Sequence, residues 1–491
     1  MRKNMKQIKM KWFKRGIASL LLGAICLVNP MQAAAESTSN FCYDTETGTY
    51  FTAPVAYEVD RVLYAADLSG VDSLNGIASM FVKGDYIYVA TNQSIIIMDQ
   101  DYHVKDILST YTDLNGNQAT ISGVDGIFVT EDGDLYVCEP KNGRILIFNK
   151  NLELVKNYGQ PEALDITISY QPSQVVVDSL NRMYVIANNI YEGILEIDSN
   201  NVFQRYFGET SVDYTALDLL WRELATEEQK AKQALWLPTE YSSMAMSGTG
   251  FIYACISYKE EDEPIRLLNV KGTNILAYNE EFELYPSGDI FYSIAGKGTT
   301  GASTLSYIDC NTYGMYTVLD TTRNRIFTYD QLGNMLFVFG GTGDKEGCFR
   351  TPVSIRFVGD DIIVADKMSE SITVMTPTQY GQKIIDATKL DYIGEEEQAV
   401  PIWEEVLTMN PNLELAYDAI GKAALRNKDY DKAETYFKLA NNRTYYSKAY
   451  AKTRDVVIKE YITEVVVGFA IVIIAWNVFK FVRKKKKGLV S

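Results

Sequence analysis

The densest cluster of chemistry-bearing residues in this 491-residue chain is "VLDTTRNRIFTYDQLGNMLFVFG", residues 318–340. Asp320, Arg323, Asn324 and Arg325 stand there between two apolar runs, as catalytic or ligand-gripping side chains would. Elsewhere the inventory is thin. The single histidine, His103, lies in the polar hairpin "DQDYHVKD", so a zinc centre with histidine ligands and a Ser-His-Asp triad both lack their parts. No G-x-S-x-G elbow precedes a helix. "TEDGDLYV" offers Asp132 and Asp134 to a carboxylate-only calcium site, but Asp-Gly is also what a tight hairpin needs, and the turn is the stronger reading.

The meaning of the 318–340 cluster depends on whether it occurs once or many times. A related phrase returns along the chain: a turn, an aromatic or aliphatic strand, a polar corner, a second apolar strand. Copies appear as "GDYIYVATNQSIIIMDQ", "GDLYVCEPKNGRILIFNK", "NRMYVIANNIYEGILEID", "GFIYACISYKEEDEPIRLL", the opening stretch, and "DDIIVADKMSESITVMT". Anchored at Val89, Val137, Val185, Ala254, Val318 and Val364, the steps are 48, 48, 69, 64 and 46 residues. Alternating apolar runs of five to eight residues, joined by Gly, Asp and Asn turns, specify antiparallel strands. Four short strands per repeat, six times over, specify an all-β six-bladed β-propeller. The segment "YFTAPVAYEVDRVLYAAD" before the first copy is expected to complete the last blade and close the ring. Cys138 and Cys255 share a strand position with Ala90 and Ala365, which makes them core packing rather than nucleophiles.

"VLDTTRNRIFTYDQLGNMLFVFGG" resembles an NHL repeat, and "YVCEPKNGRILIFNKNLELVKNYG" and "IVADKMSESITVMT" are similar to it. The resemblance covers roughly residues 45–385, is weakest in the fourth copy, and belongs to the gluconolactonase-like superfamily. Such propellers hold a divalent ion with acidic and Asn side chains in the central channel. The resemblance therefore makes Glu139, Asp320 and Asp366, at matching corners of three copies, the channel metal candidates, with a cation such as Ca2+ as the one cofactor it would imply. Thr91 at the same corner of the first copy leaves the acidic ring incomplete. A metal-dependent, lactonase-like or other sugar-processing enzyme is thus the alternative to a non-enzymatic binding module, and the binding module is preferred.

The long steps carry insertions. "DYTALDLLWRELATEEQKAKQALW", about residues 213–237, has an apolar stripe at Leu217, Leu220, Trp221 and Leu224 that specifies a helix. After the propeller, expected to end at 385, the period changes. Ala399, Trp403, Val406 and Pro411 recur 34 residues on as Ala433, Phe437, Ala440 and Tyr445, and Tyr417 and Gly421 fall at aromatic and small positions. Residues 386–450 thus resemble about one and a half tetratricopeptide repeats, a small all-α segment. Three repeats are normally needed for a stable stack, so this one should lean on the propeller or on the helix that follows it.

Both ends read as membrane signals. Residues 1–35 hold seven Lys/Arg, a thirteen-residue apolar run from Gly16 to Val28, and "AAA" before Glu36. This is the pattern of a signal peptide cut after Ala35, with an uncleaved anchor as its alternative. Lipidation at Cys26 is disfavoured by Ile25, where a small residue is needed. At the other end, residues 451–464 are expected to form a juxtamembrane helix and 465–482 a transmembrane helix with its apolar core from Val465 to Phe481. The basic tail 483–491 follows, which positive-inside logic keeps in the cytoplasm with the body outside. Between the basic ends the chain carries a net charge of about −29, which repels phosphate backbones and argues against nucleic acid. The five cysteines left after cleavage have no CxxC spacing, so neither a full disulfide framework nor a zinc site is suggested. Proteins with this plan resemble a group from Gram-positive anaerobes. That resemblance implies a single-pass cell-surface protein whose helices or propeller face meet a protein partner, a carbohydrate or a sugar-uptake transporter complex.

Overall fold

The computed structural model describes residues 40–43, 50–166, 168–209, 240–257, 263–278, 285–289 and 301–487. The expected helix at 213–237, Cys26, the cleavage site at Ala35 and residues 488–491 lie outside them. Gly301 aside, the described residues belong to one compact unit.

The alternating apolar segments become strands because alternation lets one pleated face bury while turn residues supply the left-handed backbone between them. Gly133 and Asn181, at φ of 89° and 60°, turn two of these hairpins. Six antiparallel blade sheets result among the described residues, beside two small two-stranded ones; five blades are meanders in chain order and the sixth borrows its outer strand from the start of the chain. Blade 1 is Ser79–Lys83, Tyr86–Ala90, Ile95–Asp99 and Val104–Leu108. Blade 2 is Gly126–Val129, Leu135–Glu139, Arg144–Phe148 and Leu154–Tyr158; blade 3 is Pro172–Val177, Met183–Ala187, Ile194–Ile197 and Phe203–Phe207. Blade 4, the weakest copy in sequence, shows three strands among the described residues: Tyr241–Met246, Ile252–Ile256 and Ile265–Leu268. Blade 5 is Leu305–Cys310, Tyr316–Asp320, Arg325–Tyr329 and Met335–Gly340. Blade 6 takes Pro352–Val358, Asp361–Asp366 and Ser371–Pro377, and its outer strand is Tyr57–Leu63 from the start of the chain, paired Ile372↔Leu63 through Pro377↔Tyr57. The first strands of the six blades contact one another in a closed cycle, so they surround the axis of a six-bladed propeller. The N-terminal strand closes the ring, as expected from the sequence.

Cys138 and Cys255 are fully buried in the sheets, where burial pushes both thiols up. All five described cysteines are free.

Five helices follow: α1 (Gln379–Tyr392), α2 (Glu396–Met409), α3 (Glu414–Arg426), α4 (Tyr430–Leu439) and α5 (Arg443–Lys487). The first begins ahead of the 386 expected, because Thr378 caps it, its hydroxyl accepting from Gly381 N directly after the last strand. Each helix packs on the next. Gly421 is required where α3 meets α4, since a Cβ there would lie 2.8 Å from the ring of buried Phe437. Ile384, Trp403 and Ile420 share one apolar cluster with Phe337, Phe339, Ile355 and Phe357 of blades 5 and 6. At about 1.5–3 kcal/mol per large apolar side chain fully buried, that contact is what lets so short a helical stack persist.

No break separates residues 451–464 from the apolar stretch that follows. Helix α5 runs 45 residues, about 65 Å, from the stack through the Val465–Phe481 stretch. It is the one candidate membrane-spanning helix among the described residues, and its apolar window is entirely unburied.

Candidate functional site

The three sequence-predicted corner residues occupy equivalent places: each ends the second strand of its blade and holds the loop that enters the first strand of that blade. Glu139 Oε1 accepts from Ser122 N at 3.0 Å, while Oε2 accepts from Asn142 Nδ2 at 2.8 Å and Arg144 Nε at 2.7 Å. Asp320 Oδ1 accepts from Thr304 N and Thr322 N, both at 2.9 Å, and Oδ2 from Ser303 Oγ at 3.1 Å. Asp366 Oδ2 accepts from Arg350 N at 2.6 Å, and Oδ1 from Thr351 N, Met368 N and Ser369 N at 3.0–3.1 Å. These carboxylates are buried and face donors, chiefly backbone N–H groups of the loops at their corners. They are not brought together: among the described residues, the one group of three metal-ligand side chains within mutual reach is Asp99, Asp101 and His103. That group is a surface hairpin in which Asp99 Oδ1 accepts from Asp101 N and His103 N, and Lys105 holds the Asp99 carboxyl down at about 2.

The opening cluster divides. Asp320 serves its corner, and Asn324 takes the left-handed turn at φ 53° while its amide donates to Phe349 O and Arg350 O. Arg325 grips Asp289 at 3.0 Å, and Arg323 bridges the two groups, 2.8 Å from Asp289 and donating to Asp320 Oδ2 at 3.3 Å. Burial pushes the Asp289 carboxyl up, and the two guanidiniums oppose that. Asp289 sits in "PSGDI", outside every repeat, and nothing in its spacing marks it.

Around the axis, polar side chains of the first strands join one blade to the next. Gln174 on blade 3 accepts from Met244 N at 2.6 Å and donates to Ser243 Oγ on blade 4. Ser243 Oγ accepts from Ile308 N on blade 5. Asp309 Oδ2 accepts from Phe357 N on blade 6 at 2.8 Å. Arg356 and Ser354 on blade 6 reach blade 1, donating from Nε to Met80 O at 2.7 Å and accepting at Oγ from Met80 N at 3.0 Å. Blades 1 and 2 meet through Phe81 and Phe128, rings 4.8 Å apart. Blades 2 and 3 meet at Gly126, where a Cβ would stand 2.4 Å from Ser173 O. The joints therefore engage polar side chains of the first strands in blades 3 to 6.

Where the first strands turn into the second, the axis opens into a mouth of about 900 Å³ that all six blades line. Phe81, Phe128, Phe357 and Met246 supply apolar wall, with the Lys83–Glu131 and Arg182–Asp178 pairs near them. Arg356 and Asp309 also line it; burial pushes the Asp309 carboxyl up and Arg356 opposes that. Sequence reasoning missed this pair. The available signal was "SIRFV" and "YIDC", each a charge set inside an otherwise apolar strand. A second cleft, about 520 Å³, lies between blade 5 and helices α3 and α5.

Neither a protein-family model nor a curated protein matches the chain. Among solved structures, virginiamycin B lyase from Staphylococcus aureus is similar over 65% of this chain and 99% of its own, at 12% identity and a TM-score of 0.39. The PQQ-bound form of aldose sugar dehydrogenase from Streptomyces coelicolor is similar over 66% and 100%, at 11% identity and a TM-score of 0.38.

Proposed function

We propose that the chain is a membrane-anchored binding or scaffolding module, accessory to a carbohydrate uptake system, rather than an enzyme. One observation carries this reading: the residues that looked most like chemistry, Glu139, Asp320 and Asp366, have their oxygens directed at donors of their own blades. What the molecule offers outward is concave surface on a propeller fused to helices, with α5 tying that body to an apolar stretch. In this reading the body stands outside the cell, the basic tail inside, and the tetratricopeptide-like helices or one propeller face meet a protein partner.

The test uses the full-length chain in its native membrane. Cross-linking with mass spectrometry should return a transporter component whose cross-links fall on α1–α4 or on the loops of one propeller face. Cation-dependent turnover of lactones or sugars by the purified chain, without such cross-links, would replace binding by catalysis.

A further inference from the structure

The axial mouth holds a polar pair that the blade joints do not use up. Arg356 is 7% exposed, and its Nε and Nη1 donate to Met80 O, Ile308 O and Ile355 O. Its Nη2 has no hydrogen-bond partner among the described residues. Asp309 spends Oδ2 on Phe357 N, and its Oδ1 lies 3.7 Å from Arg356 Nη1, beyond hydrogen-bond reach. A donor and an acceptor thus stand side by side in the mouth, held by three backbone carbonyls and one backbone N–H. Phe81, Phe128, Phe357 and Met246 line the same mouth, whose other charges, Lys83, Arg182, Glu131, Asp132 and Asp178, are of both signs. A concave mouth in which convergent polar groups stand beside aromatic wall is one form a small-molecule site takes.

We infer that this mouth is a binding site for a neutral, amide-bearing small molecule with an aromatic or other flat apolar body. The ligand carbonyl accepts from Arg356 Nη2, its N–H donates to Asp309 Oδ1, and its body lies against Phe81 and Phe128. The charges select for neutrality. A carboxylate in this place meets Asp309, an ammonium meets Arg356, and either leaves one member of a desolvated pair facing a like charge. The site lies at the opposite end of the first strands from the Glu139, Asp320 and Asp366 corners, and it does not depend on whether the helices dock a protein.

Three probes share one ring and differ in the head group: benzamide, benzoate and benzylamine. Each is titrated by saturation-transfer NMR and calorimetry against the full-length chain in nanodiscs, with empty nanodiscs as the blank. Benzamide should bind at least about tenfold more tightly than either charged probe, a difference that corresponds to about 1.4 kcal/mol. Phe81→Ala should weaken benzamide by about tenfold. Met246→Trp, which narrows the mouth and leaves Phe81 and Arg356 in place, should weaken it too, and circular dichroism confirms that each variant is folded. Tighter binding of benzoate, equal binding of all three probes, no binding of benzamide, or benzamide binding unchanged in both folded variants would each overturn the assignment.

Discussion

Replacing Asp366 separates a fold-holding corner from a metal ligand. Its carboxylate takes four backbone N–H groups, from Arg350, Thr351, Met368 and Ser369, at 2.6–3.1 Å, and is 2% exposed. A hydrogen bond to a charged group contributes about 1.5–3 kcal/mol, but four on one carboxylate do not add. Arg350 and Thr351 are exposed, so water can reach their N–H groups once the side chain is gone. Asp366→Ala should therefore cost about 3–5 kcal/mol rather than the full sum, a fall of roughly 6–10 °C in the melting temperature at about 2 °C per kcal/mol. Asp366→Asn keeps an oxygen at the Oδ1 position with its three donors and turns its amide N–H2 toward Arg350 N, donor against donor. It should cost about half as much, about 1.5–3 kcal/mol. Thermal unfolding of the detergent-solubilised chain, followed by circular dichroism at neutral pH with and without excess Ca2+, reads both effects. The structural role predicts the order wild type, Asn, Ala, and no Ca2+ dependence in any of them. The reasoning fails if Asp366→Ala melts within about 1 °C of wild type, or if Ca2+ stabilises the wild type and that gain vanishes in the variants.

Three further outcomes follow from the packing. Burial pushes the Asp391 carboxyl up to about 6, opposed by the Trp403 Nε1–H that donates to Oδ2 at 2.8 Å. The folded value lies above the ordinary one near 3.8, so its stabilisation is fully present below about pH 4 and is lost as pH rises through about 6. Unfolding midpoints should then fall between pH 4.5 and 7.5 in the wild type, and fall less in Asp391→Asn; equal slopes would refute the assignment. At Gly126→Ala the new methyl meets Ser173 O at 2.4 Å, and overpacking of about 1–3 kcal/mol outweighs the 0.4–1 kcal/mol that removing a glycine contributes through the unfolded chain. Its denaturant midpoint should drop, and an unchanged midpoint would mean that blades 2 and 3 can separate without cost. A chain ended after Glu464 should leave the membrane pellet under alkaline carbonate wash while the full chain stays in it; retention of the shortened chain would show that Val465–Phe481 is not what holds it.

The propeller was legible because its strands are encoded twice, once by alternation and once by a recurring turn–strand–corner–strand phrase, so a weak copy such as blade 4 could be placed from its neighbours. The same redundancy misdirected the search for a site. A corner that recurs, as Glu139, Asp320 and Asp366 do, recurs because in these three blades it satisfies N–H groups of the loop entering the first strand. Thr91 meets the local need at its own corner with a hydroxyl that accepts from Ser94 N, which is why the acidic ring looked incomplete. The residues at the axial mouth gave the opposite signal. Arg356 and Asp309 each appear in one blade only, each as the single charge of a largely apolar strand. Their pairing crosses 46 residues and a blade boundary, so no local spacing reveals it. A buried arginine in a central strand is costly unless its donors are met, and here three carbonyls meet all but one nitrogen. Repetition along this chain marks what the fold requires of more than one blade, whereas a lone charge in an apolar strand marks where one blade does something the others do not.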